Sequence, residues 1–267
     1  MKTTMKTHHA LRGLISGLLL LAAGITQTHA GLIQFNDSTD TIRVDGNTTL
    51  GSAATYEALI QFPAAAANGV VFNEWENSVE DKGLFGGTAT VSGISYPAGN
   101  LIVPTVTLGL NQWHHIAYVY DGSEQRMYLD GNLVGSTTGS GPISNSSSGV
   151  PFVGALIRGS LIPSFQGYMD TLRISDIARY SGASFTAPTG DFTTDANTQL
   201  LYNFNEAPGS TVAVDSSGFG RDGTLGTGFA GATSPEFVAA TPEPTSALLL
   251  LGSGAMLLLR RRRAAAL

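Results

Sequence analysis

Trp113-His114-His115-Ile116-Ala117-Tyr118-Val119-Tyr120-Asp121-Gly122-Ser123, continuing Glu124-Gln125-Arg126-Met127-Tyr128-Leu129-Asp130-Gly131-Asn132-Leu133-Val134-Gly135-Ser136, is the stretch that decides the fold. His115 to Tyr120 reads as a strand, Arg126 to Leu129 as a second and Leu133 to Gly135 as the start of a third, with Asp-Gly pairs at both breaks. Asp and Gly tolerate the positive φ that tight hairpin turns demand, so the stretch predicts a β-meander.

The same reading extends outward. Residues 31 to 241 contain 28 of the 33 glycines, together with many Ser, Thr and Asn, and so hold many turns. Nowhere do apolar residues recur at helical spacing over three turns, whereas period-two alternation is frequent. Further strands are expected at Leu32 to Asn36, Thr41 to Val44, Thr55 to Phe62, Val70 to Asn73, Gly83 to Val91, Leu101 to Leu108, Pro151 to Ala155, Gly167 to Ile174 and Leu200 to Phe204. About a dozen short strands in about 200 residues predict an all-β domain of two packed antiparallel sheets. Asp176 to Tyr180 is expected to form one helical turn, and residues 233 to 241 a linker. No period of repeat length is present.

The chain has 267 residues, 13% of them charged, and no Cys. This excludes a disulfide scaffold, a Cys-ligated metal and a thiol nucleophile. Residues 31 to 241 carry seven basic against nineteen acidic side chains, a net charge of −12. Such a surface repels phosphate backbones, so no nucleic-acid partner is expected.

Both ends read as addresses. Lys2, Lys6 and Arg12 precede the apolar run Leu14 to Ile25, and Thr28-His29-Ala30 supplies small residues where a signal peptidase cuts; residues 1 to 30 are expected to be a signal peptide. A spanning helix needs roughly 20 apolar residues, more than this run contains. At the other end Pro242-Glu243-Pro244 precedes an apolar segment, Thr245 to Leu259, and then Arg260, Arg261, Arg262 and Arg263. Residues 242 to 267 resemble the PEP-CTERM sorting signal of Gram-negative bacteria. That resemblance implies recognition and processing by an exosortase, with transient anchoring by a hydrophobic helix before delivery to the envelope, cell surface or extracellular matrix. The basic cluster would stay cytoplasmic under the positive-inside rule, leaving the domain outside.

Between these ends, residues 31 to 232 resemble the laminin-G-like, concanavalin A-like jelly-roll family. The resemblance is carried by Leu32-Ile33-Gln34-Phe35-Asn36-Asp37, Tyr56-Glu57-Ala58-Leu59-Ile60, Trp113 to Gly122, Tyr128-Leu129-Asp130-Gly131, Phe165 to Ser175, Ile177 to Tyr180, and Asp215-Ser216-Ser217-Gly218. Ala58 departs from it, since the family often places Trp after the Glu. The family implies two curved sheets used for sugars, proteins or matrix, and the fold does not choose among them.

Candidate sites each have a plainer rival. Jelly-roll glucanases carry alternating carboxylates on one strand; here only Glu74-Trp75-Glu76, with Glu80-Asp81 beyond, comes near, and it reads first as a solvated turn. Neighbours on a strand face opposite ways, so His114 and His115 are expected to serve packing, one buried and one exposed, rather than share a metal. Gly218-Phe219-Gly220-Arg221-Asp222-Gly223 matches a dinucleotide fingerprint literally but lacks a following helix, so it reads as a turn. The family resemblance places Asp170 where related domains hold a structural calcium ion, the rival being a pair with Arg173 or a turn cap. Asp37, Asp40 and Asp215 are weaker candidates, consistent with Asx-turns. Trp75, Tyr96 and Tyr180 are the aromatics not assigned to core, and thus the candidate ligand-binding residues. The expectation is a non-catalytic exported domain that binds carbohydrate or protein of the envelope or exopolysaccharide matrix. A structural spacer and a glycan-cleaving enzyme are the alternatives.

Overall fold

The computed structural model describes residues 31–66, 69–77, 80–95, 102–145, 149–158, 160–162 and 165–239, and among these the chain is strand and turn with no helix. In chain order the strands are β1 (Leu32–Phe35), β2 (Ile42–Val44), β3 (Ala54–Gln61), β4 (Gly69–Asn77), β5 (Glu80–Gly86), β6 (Val91–Ser95), β7 (Trp113–Tyr120), β8 (Glu124–Leu129) and β9 (Asn132–Thr138). They continue with β10 (Val150–Val153), β11 (Leu156–Arg158), β12 (Ser160–Ile162), β13 (Gly167–Ser175), β14 (Thr198–Tyr202), β15 (Val212–Ala213), β16 (Gly223–Leu225) and β17 (Glu236–Val238).

An eight-stranded sheet runs β17-β1-β13-β3-β7-β8-β9, with β14 also on β13, and a seven-stranded sheet runs β15-β16-β2-β10-β4-β5-β6. The predicted meander is β7-β8-β9. Leu129 pairs with Asn132 across Asp130 (φ 50°) and Gly131 (φ 77°), the two positive φ values of a primed hairpin turn.

Between the sheets lies one core, to which β3 gives Tyr56, Ala58 and Ile60, β7 gives Ile116, Tyr118 and Tyr120, and the facing sheet gives Ile42, Val71, Phe72, Leu84, Val91 and Val153. The sheets approach so closely at β6 that a Cβ on Gly93 would lie 2.4 Å from the Tyr118 ring. The eight-stranded sheet is apolar on its outer face too. Ala117, Val119 and Tyr128 are buried there beneath Ala178, Tyr180 and Phe185, and Leu59 and Leu201 beneath Phe192, so residues 176–197 form a strap across that face.

Four expectations change. Gly83 to Val91 is two strands, broken by a turn in which Gly87 N–H donates to the Thr90 carbonyl (2.9 Å). Residues 102–108 make only isolated bridges, Thr105 to Thr90 and Ile102 to Gly93; Pro104 has no N–H for a ladder. Residues 176–180 are not helical: Arg179 N–H donates to Thr55 Oγ1, which in turn donates to the Ile177 carbonyl, tying the segment to β3 instead. The stretch expected as a linker contributes β17, whose Phe237 is buried in the core and whose backbone pairs with β1.

Candidate binding face

Two polar clusters stand out, one covered by the strap and one lying beside two part-exposed rings. The first is centred on Glu57, fully buried on the outer face of the eight-stranded sheet. Its Oε1 accepts from Arg173 Nε (2.8 Å) and Nη2 (2.7 Å), and its Oε2 from Tyr180 Oη (2.7 Å) and His115 Nε2 (3.0 Å). Burial pushes the Glu57 carboxyl up, but the His115 hydrogen bond and the Arg173 charge outweigh it, so the net shift is downward. Phe185 stacks on Tyr180 at 3.7 Å, and Tyr180, Phe185 and Phe192 all meet the His115 ring edge-on. Arg179, bidentate to Asp195 (2.9 and 2.8 Å), completes the fastening. A carboxylate closed in by cations and rings holds the strap down and is closed to a substrate.

The second cluster lies on the seven-stranded sheet, where alternation sorts β4 and β5 cleanly. Phe72 and Leu84 face the core, so Asn73 and Trp75 of β4, with Asp81, Gly83 and Phe85 of β5, face outward. The contacts agree. Asn73 Nδ2 donates to Asp81 Oδ1 (2.8 Å) and to the Lys82 carbonyl (3.1 Å), Trp75 stands directly opposite Asp81, and a Cβ on Gly83 would meet both Asn73 and the Phe85 ring. Trp75 and Phe85 are part-exposed, while Asn73 and Asp81 are buried between and beside them. The result is an amide and a carboxylate fixed in orientation beside two part-exposed rings.

Glu74 points the other way. It is buried between the sheets, ion-paired with Lys82 Nζ (2.5 Å) and accepting from Thr48 Oγ1 (2.7 Å) and Thr48 N–H (3.1 Å). The catalytic alternative thereby loses Glu74, because alternation that sends Trp75 outward sends its neighbour inward. The Glu76 side chain lies outside the described residues.

Of the three candidate aromatics, Trp75 is on this face, Tyr180 is part of the strap on the opposite sheet, and Tyr96 lies outside the described residues. The structure therefore does not bring Trp75 and Tyr180 together. His114 and His115 face opposite ways, as alternation requires. Both are buried, however, because Asp130 takes His114 Nδ1 at 2.8 Å while the strap covers His115. Asp170, buried, is the extra residue of a bulge in β13 between the pairs Met169–Ile60 and Thr171–Leu59. Among the described residues no group of three or more His, Asp or Glu is placed to hold a metal. Arg173 is spoken for by Glu57. Asp37, Asp40 and Asp215 accept backbone N–H groups in local turns, and residues 218–222 form the predicted turn, leading into β16 at Gly223, with Asp215 Oδ2 accepting Arg221 N–H (3.0 Å). The sorting residues Pro242 to Pro244 and Arg260 to Arg263 lie outside the described residues.

Sequence reasoning missed Asn73 and Phe85, and it named Asp81 only among the carboxylates beyond Glu74-Trp75-Glu76. The register of β4 on β5 pairs Trp75 with Asp81 and puts Asn73, Asp81 and Phe85 on one face.

Comparison with known proteins agrees with the fold. A Bacteroides ovatus protein named for carbohydrate binding has a solved structure similar to this one (TM-score 0.58, 18% identity), covering 79% of this chain, which in turn spans 60% of that structure. Domains LG4–5 of the mouse laminin α1 chain (TM-score 0.45, 18% identity; 59% of this chain and 47% of that one) are more distantly similar. So is the CBM40 domain of a Ruminococcus gnavus sialidase bound to α2,3-sialyllactose (TM-score 0.44, 9% identity; 56% and 91%). No curated protein matches the chain significantly. Residues 240–263 match the PEP-CTERM protein-sorting motif, which supports export and sorting to the cell envelope or surface. Residues 36–183, more than half the chain, match the laminin-G pattern of the concanavalin A-like lectin/glucanase superfamily, and the chain belongs to that family.

Proposed function

We propose that this chain is an exported, non-catalytic domain, sorted by an exosortase after signal-peptidase cleavage, that binds carbohydrate of the envelope or extracellular matrix on the outer face of its seven-stranded sheet. The observation that carries this reading is Trp75 standing opposite Asp81, whose carboxylate is fixed by Asn73. An indole offers the C–H face of a sugar a stacking surface, and the buried Asn73–Asp81 pair fixes the two strands that present it. The net charge of −12 between residues 31 and 241 favours neutral over acidic polysaccharide. The similar Bacteroides ovatus protein, named for carbohydrate binding, supports the same class of ligand.

The test is retention of the secreted protein on polysaccharide from the producing organism, beside a panel of neutral and acidic glycans. Binding should fall about tenfold in Trp75→Ala, the loss of one stacking contact. Flat isotherms across the panel and on that polysaccharide would leave the spacer reading instead. A structural calcium ion at Asp170 is a separate proposal. It requires the melting temperature to fall on chelation in the wild type and to be insensitive to chelation in Asp170→Asn.

A further inference from the structure

The sorting motif begins close to the folded body. β17 ends at Val238, and Ala239, Ala240 and Thr241 alone separate it from Pro242. Three residues span at most about 10 Å however they run. β17 itself is an edge strand clamped at three points: Leu32 pairs with Val238, Ile33 with Phe237 and Gln34 with Glu236, and the Phe237 side chain is buried in the core against Phe204. The chain is fastened again at Thr233, whose N–H donates to the Thr39 carbonyl (2.9 Å), whose carbonyl accepts Thr41 N–H (3.1 Å) and whose hydroxyl donates to Asp40 Oδ1 (2.7 Å). With β17 docked, the edge of the sandwich stands within three residues of the motif. With β17 released but Thr233 held, eight residues are free, a reach of about 27 Å. A peptide bound as an added strand gives its own backbone hydrogen bonds to the binder, so residues already paired with β1 are not available to it.

We infer that β17 is a gate on C-terminal processing: the enzyme that acts at Pro242-Glu243-Pro244 gains its substrate when β17 leaves β1 and Phe237 leaves the core. This rests on the proposed sorting and processing of the chain. The gate is local, because β17 is a three-residue strand with one neighbour and can open while the rest of the sandwich stays folded. When opening and closing are fast relative to cleavage, the processing rate follows the open population.

The test uses the full chain in producing cells, following loss of the C-terminal tail. The chain has no cysteine, so Leu32→Cys with Val238→Cys, directly paired residues of neighbouring strands, forms the only disulfide available and locks the gate. The locked protein should lose its tail at least about tenfold more slowly than wild type, and reductant should restore the rate. A ten-residue Gly/Ser insertion after Ala239, which leaves β17 intact, should raise the rate and make it insensitive to the lock. Phe237→Leu should raise it without unfolding the domain. Equal rates in wild type, locked and inserted chains would overturn the gate while leaving sorting in place. Retention of the tail in every chain, wild type included, would remove the sorting reading and the gate with it.

Discussion

Arg173 lays two nitrogens on one oxygen of Glu57, at 2.8 and 2.7 Å, across the neighbouring strands β13 and β3, with Glu57 wholly out of solvent. A buried carboxylate is tolerated only while its partners remain, and removing one member of such a pair costs about 3–5 kcal/mol. Glu57→Ala should therefore lower stability by about that amount in urea denaturation and free the strap at residues 176–197 to limited proteolysis. Tyr180→Phe, which removes one of four hydrogen bonds and keeps the ring stacked on Phe185, should cost about 1 kcal/mol.

The same carboxylate sets the acid limb of stability. Its folded pKa lies below the ordinary value, so its contribution is complete above the unfolded pKa of about 4.3 and is lost as pH falls through the folded value. His114 acts in the opposite sense. Its hydrogen bond to Asp130 raises its pKa against the opposing effect of burial, so its contribution is complete below about pH 6.5 and fades as pH rises through the folded value. Asp130→Asn keeps an acceptor for His115 N–H but removes the charge. The His114 resonance should then titrate lower, and the decline of melting temperature between pH 6 and 8 should flatten. An unchanged His114 titration would show that Asp130 does not control it.

Gly93 sits where the two sheets nearly touch. A methyl group there would fall 2.4 Å from Cδ2 and Cγ of Tyr118, a fully buried ring whose hydroxyl is held by Gln125 at 2.8 Å. Because the ring is buried and anchored at its hydroxyl, Gly93→Ala should destabilise by about 1–3 kcal/mol through overpacking. Gly182, with a positive φ but nothing near its Cβ position, provides the contrast: its cost should be backbone strain alone.

The meander from Trp113 to Thr138 was legible because Asp-Gly turns carry their own geometry and β7 is apolar from Ile116 to Tyr120. The strap was not, since nothing local says that Tyr180, Phe185 and Phe192 fold back over β7 and β8. β17 was missed for a related reason: Glu-Phe-Val is too short to alternate visibly, and only its long-range pairing with β1 makes it a strand. At the candidate face Trp75 was found as an unassigned aromatic. Its companions depended on the register of β4 against β5, and a slip of one residue reverses every side chain.

Beneath that face, Glu74 and Lys82 form a buried pair that tests how far water reaches into the sandwich. Lys82 Nζ also donates to the Thr48 carbonyl (3.3 Å), and Thr48 gives Glu74 both its hydroxyl and its N–H, so the pair ties β4 and β5 to the segment that follows β2. If the pair is dry, Lys82→Met leaves an uncompensated carboxylate and should cost about 3–5 kcal/mol, whereas Lys82→Met with Glu74→Leu should recover most of that loss. A double-mutant cycle by urea denaturation measures the coupling. A coupling below about 1 kcal/mol would mean that the pair behaves as a solvated one. Because Trp75 and Asp81 are the immediate chain neighbours of Glu74 and Lys82, the double variant should keep glycan retention while the single variant loses part of it. The binding face is thus expected to depend on charge balance one layer below its own surface.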